Sequence, residues 1–248
     1  MFEVIKHSGP ARLGLLKFGD SKLVTPNILD LKIKRRLMFH PGFDVPRDIA
    51  EFSVLECIKS NDFFILGSKY IDLRIKCAKN IKSDILAIGD GEKLLKRPKF
   101  LVKLIEKIRT TISPNVALYF PFASPHEFYL LAFLGVDLFD LSQAYVMGSK
   151  GIIQTLHGTL NLKELKELPC YCEVCRKHTP EDLLKDRKLA IKHNKFVSFY
   201  AVREIREAIR RNELRELVEE KASSDVNLMA MLRSISYNYE EKYSLVMP

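Results

Sequence analysis

The sequence predicts an α/β fold built on parallel strands, followed by a helical appendage. Three observations carry that reading. Between residues 60 and 142 short apolar runs alternate with longer amphipathic stretches, three cysteines then crowd into 170–175, and beyond Thr179-Pro180 the chain becomes charged and helical. Strand and helix in alternation require parallel strands with crossover helices, because tight turns join only antiparallel neighbours.

In chain order, residues 11–29 (ARLGLLKFGDSKLVTPNIL) read as two strands joined by a Gly19-Asp20 hairpin turn. FFILG (63–67), DILAIG (84–89), ALYFPF (117–122) and VDLFDLS (136–142) read as buried strands: brief, β-branched or aromatic, and bounded by Gly, Pro or Asp. The stretches 69–81, 99–112 and 125–135 between them read as helices. In the second of these, Leu101, Leu104, Ile105 and Ile108 repeat at helical spacing, with Lys103, Lys107 and Arg109 turned outward. Residues 181–195 and 199–222 read as two charged helices. A boundary falls near residue 150, with a βα body over 1–150 and a metal-bearing helical part of the same domain over 151–248. The closing NYEEKYSLVMP is expected to be poorly ordered or docked on a partner.

Composition narrows the function. Of 248 residues 47% are apolar and 29% charged, which excludes collagen-like and disordered chains. Lys plus Arg outnumber Asp plus Glu by 40 to 31, and the net charge of +9 favours a polyanionic partner, usually nucleic acid. No apolar run approaches the roughly 20 residues of a bilayer span, and MFEVIKHSGPAR lacks the apolar stretch of a secretory signal. The expected location is cytoplasmic, with no membrane contact. An odd cysteine count and tight clustering point to reduced thiols rather than disulfides.

The strongest local signal is LPCYCEVCRKH (168–178). Its Cys-x-Cys-x-x-Cys run lets Cys170, Cys172 and Cys175 converge on one zinc ion, about 2.3 Å from each sulfur. A tetrahedral site needs a fourth ligand, and His178 and His193 are the candidates. His193 is favoured, because the helix over 181–192 can return its ring to the knuckle. Four protein ligands would make the zinc structural rather than catalytic.

Asp140 closes the strand in GVDLFDLS, on the face opposite Asp137. At a strand end it could attack a sugar carbon or stabilise a cationic transition state, and it could equally cap a turn or helix. Phe120, Phe122, His126 and Tyr145 are candidates for a base-stacking pocket or for core, and Asp90 for a second strand-end acid or a plain loop residue. Arg203, Arg206 and Arg210 share one helical face and are candidate RNA-phosphate contacts, the alternative being a solvated, ion-paired helix. KIKRR (32–36) and KLLKRPK (93–99) add basic surface.

GVDLFD followed by PCYCEVC and then HN resembles the tRNA-guanine transglycosylase superfamily, most closely its archaeal branch. The opening MFEVIKHSGPARLGLLKF and the helix from FVSFYAVREIREAIRR onward share that resemblance, which is specific over roughly 115–222, weaker over 1–30 and poor over 31–95. It implies a TIM-type (β/α)8 barrel, here shortened, zinc on Cys170, Cys172, Cys175 and His193, and Asp140 as the nucleophile. The family's D-S-G-[GS]-F-Q motif, whose aspartate assists the chemistry, is missing, and the segment in front of VALYFPF is short. Base exchange would therefore be impaired.

The shortened form looks more like the N-terminal part of archaeosine synthase, which modifies 7-cyano-7-deazaguanine already placed in the tRNA D-arm. In that family the reacting residues belong to a separate domain marked P-C-x3-K-P-Y, and RNA docking to a later module; these 248 residues contain neither. The resemblance thus implies a split or short subunit working on tRNA with a partner protein, a homodimer being the other assembly considered. An exchanging transglycosylase and a non-catalytic tRNA-binding subunit are the alternatives.

Overall fold

A computed structural model describes residues 1–18, 20–29 and 41–244. Strands β1 (Phe2–Ser8), β2 (Ala11–Phe18) and β3 (Ser21–Thr25) form an antiparallel sheet in that order, pairing Phe2 with Leu16 and Leu15 with Val24. The expected hairpin is β2–β3, with β1 an unforeseen third strand; Gly19 of its turn lies outside the described residues. KIKRR (32–36) also lies outside them.

Next come β4 (Asn27–Ile28), α1 (Arg47–Ser60), β5 (Phe64–Ile65), α2 (Ile71–Asn80), β6 (Ile85–Ile88), α3 (Gly91–Leu95), α4 (Pro98–Arg109), β7 (Ala117–Tyr119), α5 (Pro125–Phe133), β8 (Leu138–Phe139) and α6 (Ser142–Lys150). Each of the four apolar runs holds one strand of a parallel sheet, ordered β4-β8-β7-β6-β5. Among the described residues this sheet has five strands and is open between β4 and β5, rather than an eight-stranded closed ring.

Alternation along the strands sorts the sheet's two faces. Leu86, Ile88, Leu118 and Phe139 face the helices, where Leu101, Leu104, Ile105 and Ile108 of α4 complete the main core. Each such side chain contributes about 1.5–3 kcal/mol by leaving water. Ala87, Ala117, Tyr119 and Leu138 face the other way, against Phe2 and Leu16 of the N-terminal sheet.

The remainder holds a hairpin, β9 (Ile152–Thr155) and β10 (Gly158–Asn161), then a 3-10 turn at Leu162–Glu164, α7 (Pro180–Lys185), α8 (Arg187–Arg211), α9 (Leu214–Ala222), α10 (Val226–Leu232) and α11 (Tyr237–Ser244). The two charged helices expected over 181–195 and 199–222 divide elsewhere. Asp186 caps the start of α8 by accepting from the Lys188 N–H, and Asn212 stops it in a left-handed conformation with φ of 60°. Helices α8 to α11 bury Val202, Ile205, Ile209, Val218, Leu228, Met231 and Tyr239 in the same main core. Of the closing stretch expected to be poorly ordered or docked on a partner, residues 245–248 lie outside the described residues. Residues 237–244 form a helix docked on the protein's own body, where the Tyr239 hydroxyl donates to the Leu134 carbonyl at 2.7 Å.

Candidate functional site: the cysteine knuckle and the strand-end acid

The knuckle is built by two short turns aimed at sulfur. The Cys172 N–H donates to Cys170 Sγ and the Cys175 N–H to Cys172 Sγ, each at 3.4 Å. His193 enters from α8, fully buried, with Nδ1 3.2 Å from Cys175 Sγ and 3.5 Å from Cys172 Sγ. The four candidate ligand atoms all lie within 4.8 Å of one another, so Cys170, Cys172, Cys175 and His193 could hold a metal ion. His178 stays outside that group.

The surroundings fit such an ion. His193 Nε2 lies 2.9 Å from the Gln154 carbonyl and donates to it, which leaves the Nδ1 lone pair aimed at the sulfurs. Asn194, the next residue and also fully buried, accepts the Gln154 N–H at 2.7 Å and donates to the Ile152 carbonyl at 3.1 Å. The pair HN thus fastens β9 to α8. Between Cys170 and Cys175 the proton is shared unevenly: the hydrogen bond from Cys175 holds Cys170 down at about 4, while the same bond and burial push Cys175 up. Cys170 and Cys175 oppose each other's ionisation, and a divalent cation would remove that conflict.

The two acids of GVDLFD part company. Asp137 is fully buried and takes a bidentate pair from Arg12 of β2, at 2.8 and 2.6 Å, plus the Leu118 N–H at 2.7 Å. Arg12 also donates to the Pro114 and Val116 carbonyls, both at 2.6 Å, and Arg109 approaches Asp137 at 3.9 Å. Gly135 of the motif leaves room for Arg109: a Cβ there would meet Arg109 Cδ at 2.9 Å, at a φ of +96° that favours glycine. Asp137 is therefore the anchor between the N-terminal sheet and the parallel sheet. Neither Arg12 nor Arg109 was legible as its partner, because only the fold brings residues so distant together.

Asp140 sits just past β8, at the carboxyl end of the parallel strands. Its Oδ2 accepts the Tyr119 hydroxyl at 2.7 Å; its Oδ1 accepts the Ser142 N–H at 2.9 Å and the Phe122 N–H at 3.4 Å. Phe122 holds a left-handed φ of 63°, uncommon for a side chain of that size. Asp140 thus pins the start of α6, and three of its roughly four lone-pair sites are taken.

The other candidates scatter. Phe120 is buried in the main core, His126 is buried with Nδ1 unpartnered, and Phe122 and Tyr145 are exposed. Asp90 forms a buried ion pair with Arg74 at 2.8 Å, so it is a structural partner rather than an open strand-end acid. In the lysine-rich 93–99, Arg97 is held by Asp44 at 3.1 Å and by the Phe43 ring. Arg203 is exposed, Arg206 is half-buried and donates to the Pro26 carbonyl at 2.6 Å, and Arg210 pairs with Glu207 at 3.2 Å. Burial, and then the charges of Arg210 and Arg203, lower the basicity of Arg206, so the three guanidinium groups act on one another.

Parallel strands ending in an acid, followed by a Cys3His knuckle closed by a long helix, define the class of protein. The profile of the family described as "Queuine tRNA-ribosyltransferase" (TGT) matches residues 59–226, and the chain belongs to this family. The tRNA-guanine(15) transglycosylase of Methanococcus maripaludis strain C5 is 33% identical over 270 aligned residues, covering 94% of this chain and 41% of that protein. That of Archaeoglobus fulgidus is 34% identical over 187 residues, with 71% and 39% covered. That of Methanobrevibacter smithii is 34% identical over 200, with 72% and 29% covered. The resemblance to the archaeal branch is borne out, and the match extends well beyond the motifs that first carried it. The chain spans about two fifths or less of the length of these curated relatives. No helix among the described residues is long and apolar enough to cross a membrane.

Proposed function

We propose that this chain is a tRNA-modification protein of the 7-deazaguanine (archaeosine) pathway. It works as a transglycosylase-like subunit of the archaeosine synthase type, on 7-cyano-7-deazaguanine already in the tRNA D-arm, and does not itself exchange the base. Family membership and relatives named for guanine 15 of tRNA support the pathway. The surroundings of Asp140 carry the choice within it. A carboxylate held by Tyr119, Phe122 and Ser142 has its orientation fixed and most of its lone-pair sites occupied, which leaves little of it free to attack ribose C1′. No D-S-G-[GS]-F-Q run supplies an assisting acid, and the inward sheet face around Tyr119 and Leu138 is filled by Phe2 and Leu16.

The metal in this reading is zinc, on Cys170, Cys172, Cys175 and His193. Three thiolates and an imidazole suit it, and with four protein ligands no position remains for a reacting water. Arg203, Arg206 and Arg210 touch RNA phosphates. Residues 1–150 and 151–248 act as one domain, in the cytoplasm, and the reacting groups come from outside these 248 residues, on a partner protein.

Exchange through Asp140 is the second reading, favoured by that acid's place at the carboxyl end of β8. Labelled-guanine incorporation into tRNA decides between them. The chain alone should incorporate none, while cyano-modified tRNA supplied with free lysine, the nitrogen donor that the archaeosine synthase resemblance implies, should be converted by the partner to a lysine adduct only when this chain is added. Incorporation that disappears in Asp140→Asn would establish the second reading instead.

A further inference from the structure

Helix α8 keeps one face open along its length. His193, Val197, Ala201 and Ile205 turn inward, while Phe196, Phe199, Tyr200 and Arg203 fall on the opposite side at spacings of three and four residues. Phe196 is 47% exposed, Phe199 40% and Tyr200 47%, with the Phe196 and Tyr200 ring centroids 6.5 Å apart. Three neighbouring aromatic side chains left in water on a packed helix are a surface awaiting a partner.

Helix α6 extends the patch. It packs so closely on α8 that a Cβ on Gly148 would meet Ile191 Cγ1 at 2.6 Å. That approach sets Tyr145, 46% exposed, beside Lys195, whose ammonium donates to the Tyr145 hydroxyl at 3.1 Å and lies 5.1 Å from its ring centroid.

Charge selects the partner. Helix α8 carries eight Lys and Arg against two acids. Glu204 is turned aside to the Tyr129 hydroxyl, and Glu207 is occupied by Arg210 and Arg211. A second copy on a two-fold axis would set this cationic face against itself. Aromatic rings flanked by cations suit unpaired bases, which offer flat π faces joined by phosphates.

We infer that Phe196, Phe199 and Tyr200, with Tyr145 beside them, form a stacking platform for unpaired bases of RNA, flanked by phosphate contacts from Lys195 and Arg203. The inference rests on the tRNA-binding reading above and goes beyond it by naming where bases, rather than phosphates, are met.

The test is fluorescence anisotropy of the full chain with labelled tRNA transcript, a single-stranded 12-mer and a fully paired duplex, over a salt series. Phe196→Ala with Tyr200→Ala should weaken binding of tRNA and the 12-mer by about tenfold or more and leave the duplex unchanged, since stacking contributes through unpaired bases. Phe196→Tyr and Tyr200→Phe should retain affinity. Lys195→Gln with Arg203→Gln should lower the slope of log affinity against log salt by about two, whereas the aromatic variants keep it. Circular dichroism confirms folding, and light scattering follows particle mass. A wild-type chain that binds none of the three RNAs overturns this inference and the tRNA-binding reading together. Binding unaltered by the alanine pair overturns the inference alone, and a dimer falling to monomer at unaltered affinity assigns the face to a second copy.

Discussion

Glu127 shows how one side chain can tie stability to pH. It closes the capping box at the start of α5, where its Oε2 accepts the Ser124 N–H at 2.6 Å. Burial of the carboxyl, aided by the nearby charge of Asp225 and opposed by that hydrogen bond, raises its pKa from 4.5 to about 7. In the unfolded chain it ionises near 4.5, so between that pH and about 7 the folded chain keeps a proton the unfolded chain has released. The contribution is therefore fully present below about pH 4.5 and is lost as pH rises through 7, over a range of up to about 3 kcal/mol. Glu127→Gln keeps the cap and removes the titration. Urea unfolding at pH 5 and pH 8 should show the variant losing less stability between them than the wild type does; an equal loss would refute this account. Nothing local announces such a proton, nor the clasp of Arg12 on Asp137, 125 residues apart. The cysteine knuckle differs because three of its four candidate ligands are fixed by spacing within one short loop, and spacing is what a sequence displays.

Elements were legible where packing is one-sided. The second amphipathic run became α4, because Leu101, Leu104, Ile105 and Ile108 cover one stripe and the buried face coincides with it. Its Arg109, read as outward, is instead buried and donates to the Val116 carbonyl. Helix α1 was not legible: it buries Ala50, Ser53, Val54 and Cys57 while Ile49, Phe52 and Leu55 stay exposed, so its large apolar residues mark the wrong face. The β9–β10 hairpin hides for another reason. Its strands are four residues each and carry Gln154, Thr155, Thr159 and Asn161, polar residues that suit a turn as well as a strand. On α8 the arginine stripe was legible, but the distinct duties of its members were not. Arg206 holds the Pro26 carbonyl and Arg203 reaches solvent. Arg206→Ala should cost about 1–3 kcal/mol by stranding that half-buried acceptor, whereas Arg203→Gln should stay within about 0.5 kcal/mol of wild type. Thermal melting of the two variants checks it, and equal losses would mean that Arg206 has no structural duty.

At the scale of the whole molecule, α8 joins two cores of unequal independence. Its C-terminal half, through Ala201, Val202, Ile205 and Ile209, belongs to the main core with α4, α5 and the parallel sheet. Its first turns, through Ala190, belong to a satellite of Ile153, Leu162, Cys172, Val174 and Leu183. Leu160, Leu165, Leu168, Leu184 and Leu189 pack against it half-buried, and the knuckle's sulfurs sit within it, Cys172 as a member and Cys170 and Cys175 at its edge. A metal held by Cys170, Cys172, Cys175 and His193 would tie the knuckle to α8, so its binding free energy would add to the folding free energy of the satellite. The main core has no such dependence. Elemental analysis should find one zinc per chain, and chelation should open the satellite before the body. Hydrogen exchange followed by mass spectrometry should then show residues 152–192 losing protection while β6, β7 and α4 keep theirs, with Cys172→Ser reproducing the pattern. Loss of protection across the whole chain would mean that the two cores fold as one cooperative unit. Retained protection of β9 and β10 in metal-free protein would remove the metal's structural role altogether.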